Sequence, residues 1–309
     1  MPTITTTFAL PPQAIDLLRN AGNVRGPDAW QTTLEETEAL LCLLSDRIDA
    51  GLLARAPRLR IVACATAGYE HVDLPTCRAR GIVVTNAPGV LAETTADLTW
   101  ALLLATVRRL PQAERSLRAG EFQGWDFWDY LGGDLAGATL GIFGMGQIGK
   151  AVARRAPAFG LRVRYTSRTR LAPEEEQQLA AEWVSWDELL TTGDILSLHA
   201  PLTPQTRHVL DRAALARMKP GSYLINTARG ALVDEAALVD ALRDGPLAGA
   251  GLDVYEHEPA ITPGLLDLDN VVLLPHIGSA THQTRTRMAL LAARNVHAVL
   301  TGQAALTPV

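Results

Sequence analysis

Three segments of this chain place chemically different side chains just beyond short apolar runs. INTARG carries Arg229, GLDVYEHEP carries Asp253 and Glu258, and LLPHIGSAT carries His276. Together such side chains could hold an anion and move a proton. A guanidinium grips a carboxylate through two parallel hydrogen bonds, and an imidazolium can give its proton to a carbonyl oxygen. A carboxylate beside the imidazole would orient it and favour its charged form, keeping it an acid near neutral pH. Each residue also has an ordinary explanation: a surface arginine, a solvated loop acid, a histidine capping the helix that follows Thr281. Spacing alone does not join them. His199, in ILSLHAPLTPQT, reads as structural or near a cofactor.

A second chemical signal lies in LGIFGMGQIGKAVARRAPAFGLRVRYTSRTR, Leu140 to Arg170. Gly144, Gly146 and Gly149 form G-x-G-x-x-G between a strand-like run and a helix. In that pattern one glycine turns the chain, one admits a pyrophosphate and one lets helix and strand pack closely. The helix start, with Gln147 and Ile148, then offers unpaired N–H groups to phosphates. An NAD site would place an acid at the end of the next strand, to accept from the ribose hydroxyls. That end instead reads Ser167, Arg168, Thr169, Arg170, with no carboxylate before Glu174. Planar guanidinium donors and hydroxyls suit a 2′-phosphate, so NADPH is the expected cofactor, with NADH as the weaker alternative.

The elements that must position these groups alternate along the chain. Candidate strands are Ala39 to Leu44, Ile61 to Ala65, Ile82 to Thr85, Thr139 to Phe143, Arg162 to Thr166, Ile195 to His199, Ser222 to Asn226, Gly249 to Leu252 and Val271 to Leu274. Helical patterns include Thr94 to Leu110, Gln147 to Phe159, Trp186 to Thr191, Glu235 to Arg243 and Thr281 to Thr301. Such alternation implies parallel sheets covered on both faces. The fold class is α/β: two doubly wound, Rossmann-like parallel-sheet domains, the cofactor domain inserted into the substrate domain. The expected boundaries are 1–91 with 281–309 for a discontinuous substrate domain, and 92–280 for the dinucleotide domain. A cleft between them would hold the chemistry.

Composition narrows the classes. With 309 residues, 48% hydrophobic and 20% charged, the chain can bury a sizeable core. A net charge of −5 argues against nucleic-acid binding. Cys42, Cys64 and Cys77 are odd in number and form no CxxC pair, so no disulfide framework or zinc site is expected. The longest apolar run, Trp100 to Val107, is too short to span a bilayer, and no basic-then-apolar leader opens the chain. The default is a cytoplasmic protein with no membrane partner.

From about Leu40 to Gly302 the chain resembles the D-isomer-specific 2-hydroxyacid dehydrogenases, and most closely their glyoxylate/hydroxypyruvate reductase branch. The resemblance is carried by ATAGYEHVDL, GIVVTNAPGVLAETTADLTWALLLA, GIFGMGQIGKAVARRA, HAPLTPQTRHVL, MKPGSYLINTARGALVDEAALVDAL, AGAGLDVYEHEP and NVVLLPHIGSATHQTR. It implies that Arg229 binds and polarises a 2-oxo acid, that Glu258 assists His276, and that His276 donates the proton. It also implies that backbone amides at Ala67 and Gly68 meet the substrate carboxylate. Thr227, Ala228, Arg229 and Asp253 would lie by the nicotinamide amide, with His276 and Gly278 beside it.

Departures separate the neighbouring branches. Formate dehydrogenases resemble this pattern with glutamine at the position of Glu258, and phosphite dehydrogenases with lysine at Ala67; long phosphoglycerate dehydrogenases append a regulatory domain. Lactate- or phenylpyruvate-type specificity is the main competitor. A corepressor-type nucleotide scaffold is the answer from another class, and would be expected to carry extra tails for partners. No metal is expected, because arginine and imidazolium supply the electrophilic help. Finally, Trp125, Phe127, Trp128 and Tyr130 crowd the loop GEFQGWDFWDYLGGDLAG. They either pack on their own domain or form an interface. The resemblance implies a homodimer through the cofactor domains, with Trp128 or Tyr130 restricting the neighbouring substrate pocket.

Overall fold

Short β-branched and leucine-rich runs separated by helices form parallel strands, because each crossover helix returns the chain to the same end of the sheet. The computed structural model describes residues 1–309, which divide into two units, Met1–Leu91 with Ser279–Val309 and Ala92–Gly278.

The first unit holds a parallel sheet of β1 (Thr3–Thr6), β2 (Asn23–Arg25), β3 (Thr37–Cys42), β4 (Ile61–Cys64) and β5 (Val83–Thr85), in the order β2-β1-β3-β4-β5. Its helices are α1 (Pro12–Arg19), α2 (Ala50–Ala54) and α3 (Leu74–Ala79), joined by the final helix of the chain, His282–Leu300. Strand alternation sends Leu40, Cys42, Val62 and Cys64 to one face, against Leu53 of α2 and Cys77 of α3. Ala39, Leu41, Ile61 and Ala63 face the other way, onto Ala14 and Leu18 of α1 and onto Ala292, Ala293 and Val296 of the final helix. That helix starts cleanly because Thr281 caps it, its hydroxyl accepting the Thr284 N–H at 3.2 Å.

The second unit begins with α4 (Ala92–Val107) and α5 (Leu110–Arg118). Its sheet comprises β6 (Thr139–Phe143), β7 (Arg162–Thr166), β8 (Ala181–Trp183), β9 (Ile195–Leu198), β10 (Ser222–Asn226), β11 (Leu247–Leu252) and β12 (Val271–Leu273). The order is β12-β11-β10-β9-β6-β7-β8, every pair parallel. Crossover helices are α6 (Gln147–Arg155), α7 (Pro173–Leu179), α8 (Trp186–Thr192), α9 (Arg212–Ala216) and α10 (Glu235–Arg243), which makes the chain's final helix α11. Leu198, Leu224 and Leu252 pack under Leu189, Leu215 and Leu238 on one face. Leu140, Ile142 and Ile225 pack under Leu103 of α4 and Val152 of α6 on the other. The chain leaves β6 in one direction for β7 and β8, then returns to β9 on the other side. This reversal puts the switch point between β6 and β9, where open α/β sheets gather ligands.

Local chemistry adjusts several elements. The helix expected to run to Phe159 is α-helical only to Arg155, then continues as a tighter turn over Ala156–Phe159. Pro157 has no N–H to continue the ladder. Trp100 of α4 accounts for the buried run: its indole N–H donates to the Val152 carbonyl at 3.1 Å and its ring stacks on Phe159 at 4.5 Å. β1, β2 and β8 lay outside the sequence reading. β2 and β8 are three-residue edge strands with little apolar content, too short to show a period. No helix is long and apolar enough to cross a membrane.

Candidate active site

The glycine-rich turn follows β6 directly. Gly144 has φ +98°, and a Cβ there would stand 2.6 Å from the Ala200 nitrogen. A Cβ on Gly149 would stand 2.2 Å from the Gly144 carbonyl oxygen, so α6 can lie on the turn only without a side chain at that point. At Gly146 a Cβ would meet nothing within 4 Å. Two glycines are thus dictated by the protein's own packing, while the third borders open space at the start of α6. Gly146 is the N-cap of α6 and offers no side-chain cap, so the amides at Gln147 and Ile148 lie at an uncapped, electropositive helix end. The cradle fits a pyrophosphate.

Beyond β7, Ser167 Oγ donates to the Thr169 carbonyl at 2.6 Å and closes a small turn. The two arginines there differ. Arg170 grips both oxygens of Glu176 at 2.8 Å and lies 5.9 Å over the Trp183 ring. Arg170 and the Tyr165 hydroxyl together pull the Glu176 carboxyl down to about 2. Arg168 is exposed and makes no ion pair or hydrogen bond in the chain. The arginine pair of the sequence is therefore a strut and a free cation.

On the other side of the switch point, His199 follows β9. Its Nε2 bonds Ser197 Oγ at 2.8 Å, its Nδ1 is buried without a partner, and burial pushes its pKa down to about 3. A histidine so desolvated is neutral.

Beyond β10, Thr227 is buried with its hydroxyl bonded to Thr99 Oγ1 at 2.8 Å, and Asn226 holds Ala228 N–H and the Arg229 carbonyl at 3.0 and 2.9 Å. The Arg229 guanidinium folds back to the Ala228 carbonyl at 2.6 Å.

Beyond β11 stands Asp253, only 1% exposed. Burial raises its pKa, opposed by N–H bonds from Ile277 at 2.7 Å and Gly278 at 2.8 Å. Those two amides immediately follow His276, which sits at φ +55° beyond β12. A non-glycine residue there costs of order 1–3 kcal/mol and needs its surroundings to hold it. Asp253 does so from the next strand.

The imidazole thus aimed meets Glu258. His276 Nδ1 lies 2.8 Å from Glu258 Oε2, and Glu258 Oε1 accepts the Tyr255 N–H at 2.9 Å. The Tyr255 hydroxyl donates to the Leu274 carbonyl at 2.9 Å, tying the acid's segment to the histidine's. Burial acts to raise the Glu258 carboxyl, but the bonds from His276 and Tyr255, with the His276 and Arg229 charges, outweigh it and the net shift is downward. His276 Nε2 makes no hydrogen bond in the chain, so its proton can point at a ligand. The structure therefore brings Arg229, Glu258 and His276 to the same end of one sheet. Asp253 as the strut behind His276, and Thr99 behind Thr227, are positions the sequence did not mark for these tasks.

In the first unit the loop after β4 is held by its carbonyls. Asn86 Nδ2 donates to the Ala67 carbonyl and Thr66 Oγ1 to that of Gly68, both at 2.7 Å. The N–H groups of Ala67 and Gly68 have no protein acceptor.

Residues 100–278 match the family described as "D-isomer specific 2-hydroxyacid dehydrogenase, NAD binding domain". The chain belongs to this family. The glyoxylate reductase of Thermococcus litoralis is 48% identical over 274 residues, covering 87% of this chain and 82% of its own. That of Thermococcus onnurineus is 45% identical over 317 residues, covering 98% and 94%. The NADPH-dependent glyoxylate/hydroxypyruvate reductase of Sinorhizobium meliloti, solved with NADP and malonate, superposes with a TM-score of 0.88 at 36% identity, covering 100% of this chain and 96% of that one. As in other dehydrogenases of the family, the second unit is an NAD(P)-binding domain, and the uncapped α6 cradle lies within it.

Proposed function

We propose that this chain reduces a small 2-oxo acid, glyoxylate or hydroxypyruvate, to the 2-hydroxy acid, with NADPH preferred over NADH. The observation that carries the reading is the braced His276–Glu258 pair with Nε2 unengaged. When bound, the reduced nicotinamide supplies the hydride. The chain's own groups do the rest. Arg229 holds the carboxylate and polarises the carbonyl, and the unpartnered amides of Ala67 and Gly68 receive carboxylate oxygens. His276 passes its Nε2 proton to the oxygen as negative charge develops there, while Glu258 stabilises the imidazolium beforehand and fixes Nδ1–H as its donor. Solvent returns the proton afterwards. Thr227, Ala228, Asp253 and Gly278 shape the nicotinamide side, mostly through backbone groups, since the side chains of Thr227 and Asp253 are already bonded within the chain.

Cofactor choice is assigned to Arg168, with Ser167, Thr169 and Arg170 around it. The unpaired cation suits a 2′-phosphate and Arg170 buttresses the strand end. Arg168→Ala should raise the NADPH dissociation constant about ten- to a hundredfold, the worth of one charge-assisted hydrogen bond, with NADH hardly affected. An equal loss for both cofactors would overturn the assignment.

The proposed assembly is a homodimer through the second unit, with Trp128 covering the partner's substrate pocket. Its support is exposure: Trp125 and Trp128 are 82% and 72% exposed, whereas Tyr130 is tied to Ser116.

The deciding assay follows NADPH and NADH absorbance with glyoxylate, hydroxypyruvate, pyruvate and phenylpyruvate. Fastest turnover on the two small acids with NADPH is expected. Tight NADPH binding with no turnover of any 2-oxo acid would make the chain a nucleotide-dependent scaffold instead.

A further inference from the structure

A second cluster of reactive side chains lies in the first unit. Cys42 ends β3, Cys64 ends β4, and the two are register partners across the parallel pair. Their Sγ atoms are 3.9 Å apart, and His71 Nε2, from the loop after β4, lies 3.7 Å from each. Both cysteines are fully buried, and the second ring nitrogen of His71 is buried without a partner.

Three polar atoms converging this closely need an explanation. Thiols are weak donors and acceptors, so at these separations the cluster gains little from its own hydrogen bonds. A disulfide would require the sulfurs to close to roughly 2.05 Å and would give His71 no task. A bound cation accounts for all three. The atoms form a nearly equilateral triangle, and a point in its plane lies about 2.2 Å from every corner, matching typical Zn–S distances of about 2.3 Å and Zn–N distances of about 2.0–2.1 Å. Thiolate sulfur with imidazole selects soft ions such as monovalent copper or zinc. No carboxylate or fourth cysteine joins the group. Zinc in a closed structural site almost always takes four ligands, so a set of only three, two of them sulfur, fits monovalent copper better.

We propose that Cys42, Cys64 and His71 form a three-coordinate site for a soft cation, monovalent copper being the ion that two sulfurs and one nitrogen fit. The site has a consequence for the neighbouring loop. Cys64 and His71 bracket Ala65–Glu70, the stretch that carries the free amides of Ala67 and Gly68. A bound ion would fix both ends of that stretch. This last link rests on the substrate role proposed for those amides; the ion site itself does not.

The test is anaerobic titration of the fully reduced full-length chain with monovalent copper against a chromophoric copper(I) chelator. One equivalent per chain should be withdrawn from the chelator. Cys42→Ala, Cys64→Ala and His71→Gln should each weaken retention by about a hundredfold or more, since even groups behind metal ligands are worth ten- to a hundredfold. Cys77→Ala, buried nearby on α3 but outside the triangle, should retain the ion. His71 is only partly buried, so its variant guards against loss through misfolding, checked by far-ultraviolet circular dichroism. No copper withdrawn, or withdrawal indifferent to all three substitutions, would overturn the site. Loss of two titratable thiols in air without bound metal would replace it by a disulfide, and retention of zinc in preference to copper would overturn the ion assigned. Binding is read without turnover, so these outcomes stand apart from the reductase assay. If the assay succeeds, an unchanged KM for glyoxylate on copper loading would overturn the link to the loop.

Discussion

The segment around His276 and the segment around Trp128 belong to the same unit and are held in opposite ways. His276 is partly exposed, yet its position is over-determined: Asp253 holds the next two amides, Glu258 holds the ring, and Tyr255 ties the two segments together. Residues 120–131 have few such braces. Their rings touch mainly each other, Phe127 meeting Trp125 edge-on at 6.0 Å and Trp128 at 4.8 Å. Beyond the Tyr130 hydroxyl's bond to Ser116 at 2.5 Å, the next anchor is Gly133, whose N–H donates to the Val107 carbonyl at 3.1 Å. A site that must place one proton within a fraction of an ångström is built from short polar bonds to buried groups. The aromatic segment, proposed above as the face that meets a second copy of the chain, leaves its apolar rings in water.

The comparison breaks first at His276. His276→Ala should lower kcat by roughly 10²–10⁴-fold, the usual worth of a positioned acid, with NADPH affinity unchanged. Near-normal turnover would remove the proton donor from the scheme. Asp253→Asn tests the brace rather than the acid. One of the two amides would face an NH2 group, the loop would shift, and kcat should fall about ten- to a hundredfold, since small misplacements of reacting groups are this costly. A variant with wild-type kcat would mean that His276 keeps its position without the buried carboxylate.

Glu258→Gln sharpens the electrostatic half. The Glu258 carboxyl is held below its ordinary value, so the charged pair contributes stability above the usual carboxylate range and loses it as pH falls through the folded value. The gap in thermal midpoint between wild type and Glu258→Gln should therefore close on acidification. Parallel melting curves at every pH would dissolve the pair's electrostatic role.

The smallest effect belongs to the aromatic segment. Trp128→Ala should leave the stability of the isolated chain within about 0.5 kcal/mol, as for an exposed position, while admitting bulkier 2-oxo acids. A monomeric wild type by light scattering, or an unmoved substrate panel, would return these rings to the ordinary surface.

What could be read without coordinates followed the range of the interactions. Gly144, Gly146 and Gly149 are local: turn, cradle and helix start lie within six residues, so their pattern carries its own context. Arg229, Glu258 and His276 sit beyond three different strands, and only the family resemblance joined them in advance. The division of labour between Arg168 and Arg170 was hidden because it depends on Glu176 reaching back from α7. Asp253 read as a cofactor contact because nothing in GLDVYEHEP shows that its carboxylate accepts two amides from beyond β12. The Cys42, Cys64 and His71 triangle was illegible: the cysteines are 22 residues apart and meet only through strand register.

The path of the chain through its first unit also bears on its synthesis. Ile4, Leu41, Ile61 and Ala63 are sealed on one face by Ala292, Ala293 and Val296 of α11, and the Val309 N–H closes onto the Val84 carbonyl at 3.0 Å. A ribosome delivers these covering residues only after the whole of the second unit, at roughly 5–20 residues per second. The second unit, continuous from Ala92 to Gly278, can fold as it emerges. The first sheet meanwhile keeps an apolar face in water for some tens of seconds. During that interval the uncovered face is the part of the chain most open to aggregation.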